Sequence, residues 1–180
     1  MLALTPTEAA AFTGLDERTV RKEVEHGILE VGSPPRFAEV ALVYLRACAS
    51  FTFHLNARDR RRLYAEIADA LAGRLLQVEL GAGWTLDVAR IERDLHERVG
   101  QFEVWRTTMV IREDILGGEP VFPGTRLAVR HIGEMLQRGA PLEEVQEDYP
   151  SLSTQDLDFA RLYTAAYPRI GRPRAQAAAR

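Results

Sequence analysis

The chain has 180 residues, of which 46% are hydrophobic and 27% are charged, and its formal net charge is -3. This length suits one large domain or two small ones and leaves room for a buried core. The negative net charge argues against a protein that coats nucleic acid without sequence preference. Cys48 is the only cysteine, which excludes an internal disulfide and a cysteine-rich metal site.

The sequence lacks the features of a membrane or secreted protein. No apolar run approaches the roughly 20 residues that a membrane-spanning helix needs. Residues 1–5 lack the basic segment and the long apolar stretch of a signal peptide. We therefore expect a cytoplasmic protein without a membrane partner.

Charge is distributed unevenly along the chain. Residues 1–62 carry nine basic and eight acidic side chains, whereas residues 113–158 carry three basic and ten acidic ones. Residues 159–180 carry five arginines and no acid. This asymmetry suggests that different segments face different partners. Solvated faces of mixed sign are the alternative interpretation of each segment.

The first 26 residues predict two short helices joined by a tight turn. Thr5 is placed to cap the first helix, and Glu8 is placed to close a capping box. Gly14 suits the left-handed conformation that ends helices. Asp16 then predicts a cap for a second helix over residues 17–26. Two short helices around a glycine-containing turn are typical of a helix-turn-helix.

The next residues predict a small β-wing. An apolar stretch at 28–31, a turn at 32–35 and a return through 36–37 precede a helix that begins near Ala38. Residues 3–48 resemble the winged helix-turn-helix domains of the MerR and excisionase families. The residues that carry this resemblance are Thr7-Glu8-Ala9-Ala10, Thr13-Gly14-Leu15, Arg18-Thr19-Val20-Arg21, Gly27-Ile28-Leu29 and Arg36-Phe37.

The resemblance implies that this part of the chain binds DNA. On the second helix, the face opposite Val20 and Val24 is polar and is free to enter a major groove. A helix-turn-helix with a purely structural role is the alternative. The residues predicted to contact DNA are Glu17, Arg18, Thr19, Arg21 and Lys22 on the helix and Arg36 at the wing.

The middle of the chain predicts two helices around a β-hairpin. Asn56 is a candidate cap for a helix over 57–72. The arginines in the first turns of this helix are either solvated or in contact with phosphate. Strands over 75–80 and 84–86 precede a helix capped by Asp87. The apolar seam of that helix has nearly heptad spacing, which fits either ordinary core or a dimer contact. Its members are Val88, Ile91, Leu95, Val99 and Phe102.

Residues 107–168 predict three short helices connected by tight turns. Pro123-Gly124 suits the central positions of a type II turn, and helices follow up to Arg138, after Pro141 and after Ser153. The segment resembles the bacterial family known as domain of unknown function four-three-three. The matching residues are Gly117-Gly118-Glu119-Pro120-Val121, Gly124-Thr125-Arg126, Gly139-Ala140-Pro141-Leu142-Glu143-Glu144-Val145 and Tyr149-Pro150-Ser151-Leu152. Ala128 departs from the family, which commonly has proline there.

That resemblance implies a VapB-type antitoxin whose partner is a PIN-like ribonuclease toxin. It also implies a helix-turn-helix-like fold for this domain. The last helix begins with Asp156 and Asp158, and carboxylates repel a phosphate backbone. We therefore expect the bundle to serve dimerisation or toxin docking, and residues 3–48 to contact DNA.

Residues 169–180 predict a basic, flexible tail, because they contain few large apolar groups. PIN-like nucleases, by the resemblance, gather carboxylates around a metal ion, and arginines can pair with carboxylates bidentately. The tail is therefore a candidate inhibitor of the toxin, with a plain basic tail as the alternative. The residues predicted to bind toxin are Tyr163, Tyr167 and Ile170 as anchors and Arg169, Arg172 and Arg174 as cations.

No catalytic constellation or cofactor motif is evident. The four histidines lie far apart in sequence, and none belongs to a metal-ligand motif. The leading hypothesis is thus a homodimeric antitoxin that represses its own operon, and not an enzyme. The alternatives are a MerR-like regulator that senses a small molecule through its C-terminal part, and an interaction adaptor.

The predicted fold class is mainly α with small β elements. Residues 1–54 are predicted to form the winged helix-turn-helix domain, and residues 55–106 a helical and β-hairpin segment for connection or dimerisation. Residues 107–168 are predicted to form the trihelical domain, which residues 169–180 follow as the tail.

Overall fold

A computed structural model describes residues 2–81 and 83–169. The fold is mainly helical with two small antiparallel sheets, which confirms the predicted class. The helices are α1 (Pro6–Thr13), α2 (Glu17–Glu25), α3 (Glu39–Ser50), α4 (Ala57–Gly73), α5 (Val88–Thr108), α6 (Val129–Gln137), α7 (Leu142–Asp148) and α8 (Thr154–Ala166). The strands are β1 (Ala3–Leu4), β2 (Phe37–Ala38), β3 (Gln77–Gly81) and β4 (Trp84–Asp87). Within the described residues, no helix has both the length and the apolar character needed to cross a membrane.

Helix starts follow the predicted caps, because capping depends on contacts three residues apart. At α1, the Glu8 amide donates to Thr5 Oγ1 over 3.3 Å, while Glu8 Oε2 accepts from the Thr5 amide at 2.8 Å. At α2, the Thr19 amide donates to Asp16 Oδ1 at 2.9 Å. Ser153 and Asp156 form a second capping box at α8. These contacts confirm the predicted helix starts at Thr5, Asp16 and Ser153.

The predicted β-wing is wrong in its pairing. Strand β2 pairs with β1, so that Leu4 faces Phe37 across the ladder, and residues 30–36 form no strand. The amides of Ile28 and Leu29 both donate to the carbonyl of Glu23, at 2.9 and 3.2 Å. These two amides complete the hydrogen bonding at the C-terminal end of α2 and are therefore not available to a hairpin. Residues 28–36 form a connection between α2 and β2.

Helix α5 is the central element of the core. Phe102 on this helix is fully buried, and its ring meets Phe12 of α1 and Phe159 of α8 edge to face at 5.2 and 5.8 Å. Trp105, one turn further, packs on Phe159 and Phe122. Helices from both ends of the chain therefore meet on α5, and the ranges 1–54, 55–106 and 107–168 share one continuous core.

This burial corrects the predicted dimer interface on α5. Four of the five seam residues are at most 6% exposed within a single chain, and Ile91 is partly buried against the same core. Because helices of the same chain cover these side chains, the seam cannot also form an interface with a second copy. The covered residues are Val88, Leu95, Val99 and Phe102.

The C-terminal bundle begins with a compact loop. Val121 forms β-bridges with Val110 and Ala128, and the Thr125 amide donates to the Phe122 carbonyl at 3.1 Å. This bond closes the predicted turn, in which Gly124 has a φ of 72°, the left-handed value that its position requires. Helices α6 and α8 then pack closely against each other, and α8 also packs on α1.

Candidate nucleic-acid interface

Helix α2 presents a cationic face to solvent. Arg18, Arg21 and Lys22 are exposed, whereas Val20 and Glu23 on the other side of the helix are buried. The division follows from the spacing, because positions three and four apart share one face of a helix. The structure thus brings the three predicted cations together on one accessible surface, which we call the α2 face.

The other predicted residues of α2 are engaged in local contacts. Glu17 Oε1 accepts from Arg21 Nη2 at 2.5 Å in an exposed i,i+4 ion pair. The Thr19 hydroxyl donates to Asp16 Oδ2 at 2.6 Å and so belongs to the helix cap. Arg21 must therefore leave Glu17, at the small cost of an exposed ion pair, before it can bind another anion.

Arg36 lies apart from α2, on the connection that precedes β2. Its side chain is 54% exposed, and its Nη1 atom is 3.8 Å from Glu8 Oε2. At this separation and exposure the ion pair is weak, so the guanidinium is accessible to a further anion.

A buried polar cluster beneath α2 holds the helix in place. The Glu23 carboxylate accepts from the Tyr44 hydroxyl at 2.8 Å and pairs with Arg60 of α4. The Glu23 side chain is 7% exposed and that of Arg60 is 20% exposed. The cluster thus connects α2 to α3 and α4, and it positions the α2 face relative to the rest of the chain.

Sequence reasoning missed this cluster, although one signal was present. Glu23 lies three residues after Val20, so a charged residue occupies the inner face of an amphipathic helix. Such a residue needs a partner, because burying an unpaired carboxylate is unfavourable. The sequence gives no indication that Arg60, 37 residues away, is that partner.

The arginines at the start of α4 mainly contact the protein itself. Arg61 Nη2 donates to the carbonyl of His26 at 2.9 Å, which supports the end of α2. Arg62 forms an i,i+4 ion pair with Glu66 at 2.7 Å. With Arg60 bound to Glu23, only Arg58 of the four has no ion pair or side-chain hydrogen bond among the described residues.

A cavity of about 360 Å³ lies beside this cluster, between α2, α4 and the connection at 51–55. Thr19, Glu23, Arg60 and the Cys48 thiol are among its lining groups. Burial raises the pKa of Cys48 to about 11, although a hydrogen bond with Tyr44 acts in the opposite direction. The thiol is therefore protonated at neutral pH, and thiolate chemistry is not expected here.

The residues predicted to bind toxin are partly occupied within the chain. The Tyr167 ring stacks on Phe102 at 6.4 Å and contacts Tyr163 at 5.1 Å, and both tyrosines pack against the core. Arg169 pairs with Glu119. Tyr163 and Tyr167 are therefore partly buried against the fold, and their role as anchors on the toxin stays a prediction. The remaining predicted residues, Ile170, Arg172 and Arg174, lie outside the described residues.

The start of α8 is attached to α5. Trp105 Nε1 donates to Asp156 Oδ1 at 2.8 Å, and Arg98 Nη2 lies 3.4 Å from Asp158 Oδ2. Burial of Asp156 opposes its ionisation, but hydrogen bonds from Ser153 and Trp105 outweigh this and hold the pKa of the carboxyl below its usual value. The first turn of α8 is thus acidic and engaged in contacts with α5, which leaves it poorly suited to a phosphate backbone.

Comparison with known proteins finds a similarity to a described family over part of the chain. The family described as "Protein of unknown function (DUF433)" matches residues 109–164, which confirms the resemblance predicted for the C-terminal domain. The "Uncharacterized protein y4eO" of Sinorhizobium fredii (strain NBRC 101917 / NGR234) is 28% identical over 190 residues, covering 95% of this chain and 84% of that protein. No solved structure shows significant similarity.

Proposed function

We propose that this chain is the antitoxin of a toxin–antitoxin pair, which represses its own operon through the α2 face and neutralises a PIN-like ribonuclease. The observation that carries the DNA-binding part is the exposure of Arg18, Arg21 and Lys22 on one side of a short helix. Its opposite side is held by the buried Glu23 cluster. A cationic helix on a rigid support is the arrangement by which a helix-turn-helix enters a major groove.

The charges on α2 suggest different roles for its cations. An arginine can pair bidentately with guanine, whereas a lysine more often neutralises phosphate. We expect Arg21→Ala to weaken binding to the chain's own promoter by about 1–3 kcal/mol if Arg21 contacts a base. Lys22→Ala should instead reduce the slope of log affinity against log salt concentration by about 1, the effect of losing one phosphate contact. Fluorescence-anisotropy titrations on promoter DNA at several salt concentrations measure both effects.

Arg138→Ala provides the matched control. Arg138 is exposed at the C-terminal end of α6, and its one ion pair among the described residues is with Glu134 of that helix, at 3.2 Å. Its loss should leave promoter binding unchanged. The proposal fails if the Arg18, Arg21 and Lys22 triple alanine variant, shown to be folded by circular dichroism, binds the promoter as the natural chain does.

The second part of the proposal concerns toxin binding by the C-terminal tail. Because Tyr163 and Tyr167 pack into the fold, we place toxin contact in residues 169–180, whose arginines are uniformly cationic by sequence. Removing residues 168–180 should leave promoter binding nearly intact and relieve inhibition of the nuclease. Replacement of Arg172 and Arg174 by Glu should have the same effect.

The neighbouring gene supplies the partner for this test. Its product, if it is of PIN type, is purified with and without the full chain, and cleavage of a fluorescent RNA is measured at equal stoichiometry. If the truncated chain still silences the nuclease, the folded bundle is the inhibitor. If neither form affects the nuclease and no complex forms on co-expression, the antitoxin proposal is wrong.

A stand-alone regulator that senses a small molecule is the second candidate. The observation in its favour is the cavity that reaches Thr19 and Glu23 of α2, where a ligand could change the position of the α2 face. This cavity lies in the N-terminal half and not in the C-terminal part where sensing was predicted. Promoter binding that changes with a metabolite and does not change with the neighbouring gene product favours this candidate.

A further inference from the structure

A cluster of three potential metal ligands lies where α3 meets α5. Glu39 in the first turn of α3 and Glu92 and His96 on α5 bring one ligand atom each within 4.8 Å of one another. His96 Nε2 is 2.9 Å from Glu39 Oε1. The two residues of α5 are four positions apart and therefore project from the same face of the helix.

The charges around this cluster favour a cation. Among the described residues, neither Glu39 nor Glu92 forms an ion pair with an arginine or lysine, and His96 is the only basic side chain paired with Glu39. Two carboxylates and one imidazole nitrogen are therefore gathered without a permanent positive charge. A divalent ion would neutralise both carboxylates, whereas the hydrogen bond between His96 and Glu39 involves only one of them.

The chemical types of the three ligand atoms indicate the class of ion. One imidazole nitrogen and two carboxylate oxygens suit zinc and neighbouring divalent transition ions better than magnesium or calcium, which prefer oxygen ligands alone. Zinc bound to these ligands at about 2.0–2.2 Å would separate neighbouring donor atoms by about 3.4 Å in tetrahedral geometry. The three ligand atoms lie within 4.8 Å of one another, so only a short approach separates them from this spacing.

We propose that Glu39, Glu92 and His96 form a binding site for one zinc ion, with a water molecule as the fourth ligand. The His96 side chain is 44% exposed, which leaves one side of the site open to solvent. The ion connects α3, which follows β2, to the helix at the centre of the core. Because the unfolded chain does not hold these three ligands together, zinc binding stabilises the fold.

Zinc binding is tested on the full chain after removal of any affinity tag. We expect one Zn²⁺ per chain by elemental analysis after dialysis. At zinc concentrations near one hundred times the dissociation constant, the unfolding midpoint should rise by about 5 °C or more. Co²⁺ should give the intense visible absorption of a tetrahedral site without a thiolate band, because Cys48 is not a ligand.

His96→Ala and Glu92→Gln should each weaken zinc binding by about tenfold or more. Both positions are at least partly exposed, so the variants should remain folded, and circular dichroism verifies this. His54→Ala is the matched control, since His54 is exposed and lies outside the cluster. The site is disproved if zinc fails to bind the natural chain, if His96→Ala binds it equally well, or if His54→Ala alone abolishes binding.

Discussion

Replacement of Gly133 with alanine is expected to lower the free energy of unfolding by about 3 kcal/mol or more. Gly133 is buried on α6 where this helix meets α8. A Cβ atom at this position would lie inside van der Waals distance of Thr164 Oγ1 and the Ala160 carbonyl oxygen, and 2.9 Å from the carbonyl carbon. The carbonyl belongs to the backbone of α8, so the clash can be relieved only by separating the two helices.

The sign of this effect opposes intrinsic helix propensity. Alanine normally stabilises a helix interior by up to about 1 kcal/mol relative to glycine. Gly100→Ala on α5 is the matched control, because Gly100 is exposed and a Cβ atom added there would have no described neighbour within 4 Å outside its own helix turn. We expect Gly100→Ala to be neutral or slightly stabilising. Urea denaturation of both variants, with the midpoint and slope compared, measures the difference.

Equal midpoints for the two glycine variants would mean that α6 and α8 are not in close contact at Gly133. Thr164→Ala in the Gly133→Ala background gives a second test. It removes the hydroxyl but not the Ala160 carbonyl oxygen, so it should restore only part of the lost stability. Full recovery would mean that the backbone of α8 does not obstruct a side chain at this position.

The second large effect is expected for Glu23→Ala, which should cost about 3–5 kcal/mol of unfolding free energy. The change leaves the largely buried guanidinium of Arg60 and the hydroxyl of Tyr44 without the carboxylate that accepts from both. Glu23→Gln should cost less, since its amide oxygen can still accept from one of the two donors. Chemical denaturation followed by circular dichroism measures these differences.

Glu25→Ala is the control on the same helix, because Glu25 is exposed and belongs to no buried cluster among the described residues. Its loss should change stability by about 0.5 kcal/mol at most. A double variant of Glu23→Ala with Arg60→Met should cost less than the sum of the single changes, because both members of the pair are then absent. Strict additivity, or equal losses for Glu23→Ala and Glu25→Ala, would contradict the role assigned to this pair.

Sequence alone determined the features that depend on contacts a few residues apart. The helix starts at Thr5, Asp16, Asn56 and Ser153 were predicted because a capping side chain bonds to an amide within its own first turn. The turn at Gly124 was predicted because its left-handed conformation strongly favours glycine. The exposure of the α2 face was predicted from the period of the helix.

Features that join distant parts of the chain were decided only by the tertiary structure. The apolar pattern of the seam on α5 is the same for a seam buried within one chain and for a seam buried against a second copy. In the structure, Phe12 and Phe159 of the same chain cover Phe102. Strand β2 pairs with β1 instead of forming a wing, because the amides of residues 28 and 29 are used at the end of α2. Glu23 pairs with Arg60, and Glu39 pairs with His96, only after the intervening helices have packed. The hydrophobic pattern of a helix predicts which of its faces is buried. Which other element covers that face depends on the packing of the whole chain.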